Sequence, residues 1–154
     1  MLKPGDPAPN TSFVTADRPP QDIPLSSFKG QKNVIVAFYP RAFTGGCERE
    51  MRFFQTMLPE FQKLDTQIIG SSTDAAAPQK AFADHCGLQF PLWSDFPKFA
   101  TTKAFGAFNE ERVANSRVTF IIDKQGVIRH VIEETQDIER HARESLEVIK
   151  KFSQ

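Results

Sequence analysis

The sequence predicts an α/β fold in which helices flank a mixed central β-sheet. The apolar run NVIVAFY (33–39) is rich in β-branched and aromatic residues, which is typical of a strand buried on both faces. Strand and helix patterns then alternate and end in a hairpin and a helix, an order that favours a mixed sheet. The length of 154 residues suits a single domain spanning residues 1–154.

The first half of the chain supplies an edge region and a long helix. The proline-rich start contains two extended pieces, SFVT (12–15) and IPLSSF (23–28), which we expect at a sheet edge. After the strand at 33–39, apolar residues recur at helical spacing, and we expect Pro59 to kink or restart this helix. The residues that share the apolar face are Cys47, Met51, Phe54, Leu58 and Phe61.

The middle of the chain predicts a second strand and two short helices. TQIIGSSTD (66–74) has the apolar core of a strand. Helices are predicted at 78–87 and 98–106, and each of these segments stops at a glycine. Between them, FPLWSDF (90–96) is expected to be extended before it turns.

The last third of the chain predicts a hairpin and a closing helix. Residues 117–134 contain two strand patterns joined by a turn at 123–126. Residues 135–152 form an amphipathic helix pattern, with Asp137 and Glu139 near its start and lysines near its end. This distribution of charge suits the helix macrodipole.

Charge and composition exclude several classes of protein. Lysine plus arginine equals aspartate plus glutamate, 19 each, so we expect no nucleic-acid binding and no polybasic membrane binding. No apolar run reaches the ~18 residues of a transmembrane helix, and MLKPGDPAPN lacks the apolar core of a signal peptide. We therefore expect a cytoplasmic protein with free thiols. The two cysteines and three histidines have no metal-ligand spacing, so neither a metal nor a cofactor is expected.

Cys47 is the first candidate for chemistry. It lies in the first turn of a predicted helix, where unpaired backbone N–H groups and the helix dipole favour thiolate over thiol. The end of a central strand is also where α/β folds place their sites. Gly45 and Gly46 let the backbone approach a ligand, and Thr44 offers a hydroxyl. The alternative is that Cys47 is a small buried core residue, which is common for free cysteines.

The pattern P-x-x-x-T-x-x-C, formed by Pro40, Thr44 and Cys47, resembles the active-site signature of the peroxiredoxins. Other segments are similar to that family in the same order, namely APNTSF, KNVIVAFYPRAFTGGC, LQFPLWSDF, AFGAFNE and SRVTFIIDKQGVIRH. The similarity is greatest to the one-cysteine alkyl hydroperoxide reductase E type and next to the bacterioferritin-comigratory type. It implies a thioredoxin-like fold and a thiol-dependent peroxidase that reduces hydrogen peroxide and organic hydroperoxides.

The resemblance also implies roles for five residues. Cys47 matches the peroxidatic cysteine, whose thiolate attacks the peroxide and becomes sulfenic acid. Thr44 matches a hydrogen-bond partner of the peroxide, and Pro40 matches a residue that shields the thiolate. Arg117 matches the arginine that activates the sulfur, and Glu50 matches the glutamate that orients this arginine. From the residues alone, Glu50 is a first-turn acid that favours the helix dipole, and beside a thiolate it fits only if it is paired.

Cys86 is the candidate resolving cysteine. A sulfenic acid condenses with a thiol, but the position five residues after Cys47, where some relatives carry a resolving cysteine, is Arg52. Cys86 lies about one turn later than the position that other relatives use, near Ala83. We therefore expect a one-cysteine mechanism with an external thiol reductant: a glutathione-like small thiol, thioredoxin or glutaredoxin. The alternative is an atypical two-cysteine enzyme in which Cys86 resolves.

Two further alternatives come from other classes. A thiol–disulfide oxidoreductase of the same fold is disfavoured, because no C-x-x-C motif is present. A non-catalytic interaction module that uses a phenylalanine-rich surface stays open, since the chain has 15 phenylalanines. The family implies a homodimer, and the candidate interface residues are Phe43, Phe96, Phe99 and Phe108.

Overall fold

The computed structural model describes residues 1–153, which form eight strands, four α-helices and a short 3₁₀ helix. The strands are β1 (Ser12–Val14), β2 (Asp22–Pro24), β3 (Asn33–Phe38), β4 (Thr66–Ser71), β5 (Phe108–Asn109), β6 (Ala114–Asn115), β7 (Val118–Ile122) and β8 (Ile128–Ile132). The α-helices are α1 (Gly45–Lys63), α2 (Ala76–Cys86), α3 (Ala100–Phe105) and α4 (Arg140–Phe152). None of these helices is both long enough and apolar enough to cross a membrane.

The central sheet has the strand order β4-β3-β7-β8. β3 pairs in parallel with β4 and antiparallel with β7, which in turn pairs antiparallel with β8. The predicted mixed sheet is therefore confirmed. This pairing brings the end of β4 and the start of β7 to the same edge as the end of β3, since Phe38 pairs with both Ser71 and Val118.

Strand β3 is buried along its whole length, as its apolar run predicts. Its side chains alternate between two hydrophobic clusters, one on each face of the sheet. Ile35 and Ala37 face a cluster that contains the apolar side chains of α1 and α4. Val34, Val36 and Phe38 face a second cluster, which also contains Phe13, Leu25 and Phe105.

Helix α1 buries the face that the sequence predicts. Cys47, Met51, Phe54, Leu58 and Phe61 are all buried. The expected restart at Pro59 is wrong, because α1 continues as one helix to Lys63. Proline removes a single backbone hydrogen bond, and the buried contacts on either side of it hold the helix together.

The N-terminal segment lies at the sheet edge, as predicted, but only part of it is extended. β1 and β2 form a separate antiparallel pair, and Leu25–Phe28 is the 3₁₀ helix rather than strand. Leu92 bridges Gly70 of β4, and Ser94 bridges Val14 of β1. The predicted extended segment at 90–96 therefore connects this small sheet to the β4 edge.

The start of α4 differs from the sequence prediction. The helix begins at Arg140 rather than at residue 135, so Asp137 precedes it and its first turn carries no acid. The cause is local, because the Glu134 carboxylate accepts the backbone N–H groups of Thr135 and Gln136 and folds them into a turn. The lysines near the end of the helix lie in its last turn, as predicted. The short β5–β6 pair was not predicted.

Gly70 offers a test of how β4 packs beneath α1. A Cβ atom at this position would overlap the Leu92 side chain and lie 3.1 Å from Met51 Sδ. We expect Gly70→Ala to lower the free energy of unfolding by about 2 kcal/mol, the usual cost of overpacking, in urea denaturation. Gly45→Ala is the control, since a Cβ there meets no atom within 4 Å. Equal stability of the two variants would mean that Leu92 moves aside without cost.

Candidate active site

The loop between β3 and α1 is fixed to the neighbouring strand end by polar contacts. Arg41 donates from Nη1 to Thr73 Oγ1 at 2.7 Å and from Nη2 to the Val113 carbonyl at 3.2 Å. The Ala42 N–H donates to Asp74 Oδ2 at 2.8 Å. Arg41 is thus exposed but hydrogen-bonded to the fold, and its sequence position does not reveal this because its partners lie far along the chain.

Thr44 and Pro40 belong to this loop. Pro40 is partly buried directly after the buried Tyr39. The exposed Thr44 hydroxyl donates to the Arg41 carbonyl at 2.9 Å, and the Thr44 carbonyl accepts the Glu48 N–H at 2.9 Å. Because the hydroxyl proton is used within the loop, the lone pairs of Thr44 Oγ1 can accept from a ligand.

Cys47 lies in the first turn of α1 and is only 1% exposed. Arg117, directly before β7, donates from Nη2 to Cys47 Sγ at 3.3 Å and from Nη1 to Glu50 Oε1. The structure thus brings together three predicted site residues that are 67 and 70 positions apart. The antiparallel pairing of β7 with β3 causes this meeting, because it places the start of β7 beside the end of β3.

Gly46 leaves room for the Arg117 side chain. A Cβ atom on Gly46 would lie 3.3 Å from Arg117 Nη2 and 3.1 Å from Ile138 Cδ1. Both distances are tighter than ordinary contacts, so a methyl group here would press on the guanidinium that contacts Cys47. The glycine therefore serves the approach of a side chain, as well as the backbone exposure that the sequence suggested.

Burial dominates the electrostatics of Glu50. Loss of water raises the pKa of Glu50 to about 7, although the charge and hydrogen bond of Arg117 act to lower it. Burial alone would lower the pKa of Arg117, but Glu50 and Cys47 outweigh it and the net change is upward. Arg117 therefore stays charged, whereas Glu50 can gain or lose its proton near neutral pH.

Cys86 is the last residue of α2 and is 4% exposed. Its carbonyl accepts from Arg52 Nη1 at 3.2 Å, and Arg52 also pairs with Glu48 at 2.8 Å. Burial raises the pKa of Cys86, although the charge of Arg52 opposes the rise. Both cysteines are free thiols in the same buried cluster. Among the described residues, no group of three His, Cys, Asp or Glu side chains could hold a metal ion.

The family model described as the AhpC/TSA family matches residues 4–131. This chain belongs to the AhpC/TSA family. The residues that meet at Cys47 are those that the resemblance to peroxiredoxins singled out, and the match spans the site and all but the last residue of the four central strands.

Individual relatives agree with the family match. This peroxiredoxin is 38% identical over 130 residues to alkyl hydroperoxide reductase E of Mycobacterium tuberculosis, with 84% of each chain covered. It is 33% identical over 139 residues to the chloroplastic peroxiredoxin Q of Triticum aestivum, with 90% of this chain and 63% of the relative covered. The crystal structure of peroxidoxin BcpB from Mycobacterium tuberculosis superimposes with a TM-score of 0.87 at 27% identity, over 98% of each chain.

Three predictions from the sequence are thereby confirmed. The chain is similar to alkyl hydroperoxide reductase E and to peroxiredoxins of the Q type, as the resemblance implies. Its fold is thioredoxin-like, with a mixed sheet between helices. Its activity is that of a thiol-dependent peroxidase, which acts on a peroxide and uses a thiol reductant.

Glu50 makes the stability of this peroxiredoxin depend on pH. A carboxyl whose pKa is raised in the folded state contributes stability that is fully present below about pH 4.5 and is lost as pH rises through about 7. The rise of the Glu50 pKa from 4.5 to about 7 corresponds to about 3 kcal/mol. Glu50→Gln removes this titration, so we expect the free energy of unfolding of the wild type, relative to the variant, to fall by up to that amount across this range.

Urea denaturation at several pH values measures this difference. Glu48→Gln is the matched control, because Glu48 lies on the same helix, but its pKa is lowered, chiefly by its hydrogen bond with Arg52. That variant should leave the difference constant between pH 5 and 7. A constant difference for Glu50→Gln as well would contradict the titration of Glu50 in this window.

Proposed function

We propose that Cys47 is the peroxidatic cysteine and that it reduces hydrogen peroxide and organic hydroperoxides. Its thiolate attacks one peroxide oxygen, the O–O bond breaks, and the other oxygen leaves with a proton as water or alcohol, while Cys47 becomes a sulfenic acid. The observation that supports this role is the contact of Arg117 with both Cys47 Sγ and Glu50.

Arg117 supplies a hydrogen-bond donor for the leaving oxygen, which a thiolate alone cannot provide. Complete ionisation of an ordinary thiol near neutral pH gains only about tenfold in thiolate concentration. A fast reaction therefore needs donors aimed at the charge that develops on the leaving oxygen. In this proposal the guanidinium of Arg117 is such a donor, and Glu50 orients it. Thr44 Oγ1 accepts from the peroxide, and Pro40 shields the sulfur from water.

Phe43 favours organic hydroperoxides as part of the substrate range. It belongs to the same loop as Thr44, and the residue is 55% exposed. One side of the ring lies against Phe82 of α2, with the ring centroids 5.2 Å apart. The exposed side offers an apolar surface beside the site, against which an alkyl group can lose contact with water.

We propose a one-cysteine mechanism for the return of Cys47 to the thiol. Cys86 is buried at the end of α2, its pKa is raised, and Arg52 holds its carbonyl in place. Attack by Cys86 on the sulfenic acid would require these contacts to break. An external thiol is the simpler reductant: two thiol molecules reduce the sulfenic acid to the thiol, with release of water and a disulfide. The candidates are a glutathione-like small thiol, thioredoxin and glutaredoxin.

We further propose that the protein is a cytoplasmic homodimer. Each subunit is a single domain that spans residues 1–154, of which Gln154 lies outside the described residues. Three of the four candidate interface phenylalanines lie together, with Phe99 stacked on Phe108 at 5.1 Å and edge-on to Phe96 at 6.0 Å. Phe96 is 49% exposed. Phe99 and Phe108 are partly buried, and an aromatic cluster that reaches the surface in this way favours an association surface. Phe43 instead packs at a tilt against Phe82.

Intact mass after one equivalent of hydrogen peroxide, without added thiol, tests the mechanism. We expect the wild type and Cys86→Ser each to gain one oxygen atom, since Cys47 then holds a sulfenic acid and Cys86 takes no part. Cys47→Ser should gain nothing under the same conditions. A loss of two hydrogen atoms in the wild type, replaced by oxygen gain in Cys86→Ser, would establish the two-cysteine alternative. No change in either protein would contradict peroxidase chemistry at Cys47 and favour the interaction module.

Gly46→Ala tests whether the position of Arg117 controls the rate. The added methyl group would displace Nη2 from the sulfur, and we expect the rate of Cys47 oxidation by peroxide to fall at least about tenfold, or about 1.4 kcal/mol of transition-state stabilisation. Gly45→Ala, one residue away in the same helical turn, places its methyl group in open space and should react like the wild type. Equal rates for the two variants would show that the guanidinium contact does not limit the reaction.

A further inference from the structure

Behind Glu50 lies a buried polar pair to which the proposed function assigns no role. His141 of α4 and Thr119 of β7 are both fully buried. His141 Nε2 lies 2.6 Å from the Glu134 carbonyl oxygen, which can only accept, so Nε2 holds the ring proton. His141 Nδ1 is then an acceptor, and the Thr119 hydroxyl donates to it at 2.7 Å. Burial lowers the pKa of His141, in agreement with a neutral ring.

The two oxygens of the Glu50 carboxyl have unequal surroundings. Oε1 accepts from Arg117, whereas the buried Oε2 has no hydrogen-bond partner among the described residues. Oε2 lies 3.8 Å from His141 Nδ1. That nitrogen presents a lone pair, already used by Thr119, so it gives no donor to a negative charge on Oε2.

We infer that His141 and Thr119 are positioning residues. By withholding a hydrogen-bond donor from Glu50 Oε2, they allow this carboxyl to take up a proton, and the neutral carboxyl holds Arg117 less firmly on Cys47. The inference rests on the proposed function, because its effect on catalysis passes through Arg117 to the peroxidatic cysteine.

Apart from His141 and Thr119, three titratable groups face Glu50 and bear on the balance between its protonated and ionised forms. Arg117, before β7, favours the carboxylate, and a negative charge on Cys47 of α1 would disfavour it. Tyr39, at the end of β3, stays neutral, since burial raises its pKa well above the ordinary value. The pKa of Glu50, about 7 despite the adjacent guanidinium, agrees with a carboxyl that lacks a second donor.

The consequence is a rate that rises with pH as Glu50 ionises and fixes Arg117. We expect the midpoint of this rise near pH 7 in the wild type, where the pKa of Glu50 lies. The experiment follows oxygen addition to Cys47 by rapid quench and intact mass, with hydrogen peroxide, from pH 5 to 9. Cys86→Ser serves as the background, so that Cys47 is the only thiol that reacts.

Thr119→Val decides the inference, because it keeps the shape of the side chain and removes only the hydroxyl. The freed lone pair of His141 Nδ1 can then accept the proton of a neutral Glu50 once the two atoms close from 3.8 Å to hydrogen-bond distance, so the proton is held to higher pH. We expect the midpoint to rise by about one pH unit. Thr119→Ser, the matched control, retains the hydroxyl and should keep the wild-type midpoint. His141→Asn places an amide N–H near Oε2 and should lower the midpoint by about one pH unit.

The possible outcomes separate the inference from the proposed function. If the wild type gains no oxygen at Cys47, the proposed function fails, and the inference fails with it. If it does gain oxygen but Thr119→Val keeps the wild-type midpoint, only the inference is overturned. The same holds if Glu50→Gln retains the rise near pH 7, or if Thr119→Val and His141→Asn shift the midpoint in the same direction. Should His141→Asn not fold, the two Thr119 variants alone decide the matter.

Discussion

The buried ion pair between Arg117 and Glu50 is the interaction on which the site depends. A thiol enclosed in an apolar cluster is a poor place for negative charge, and the guanidinium of Arg117 is the charged donor that contacts Cys47 Sγ. Arg117 is itself largely buried, and Glu50 makes its charge tolerable there. Cys47 and Glu50 are one turn apart on α1, so a single helix supplies both of the groups to which the guanidinium donates.

The sheet explains why these groups meet. The end of β3 lies between the end of β4 and the start of β7, because the one pairing is parallel and the other antiparallel. Each neighbour contributes to the same edge: β7 brings Arg117, and the segment after β4 brings Thr73 and Asp74, which fix the loop before Cys47. A mixed sheet thus collects distant residues around one helix N-terminus without a long insertion.

The sequence predicted the features whose causes are local or repetitive. The order and spacing of apolar residues predict the burial of β3 and of one face of α1. Cys47 is recognisable because it lies at the junction between the two elements. Arg117 could be singled out only by resemblance to a family, because its relation to Cys47 depends on strand pairing. His141 and Arg41 were missed for the same reason. The start of α4 was wrong because the Glu134 side chain competes for backbone N–H groups, which periodicity does not register.

Phe43 adopts a backbone conformation that links the site to α2. Its φ of 61° lies in the left-handed region, which is costly for a residue with a side chain. Contacts of its ring with Phe82 and His85 hold it there, and His85 is joined to α1 through Glu48. The loop beside Cys47 and the end of α2 therefore form one cooperative unit, in which opening either part removes support from the other. A displacement of the end of α2 would therefore remove the contacts that hold this loop, which leads directly into the helical turn that carries Cys47.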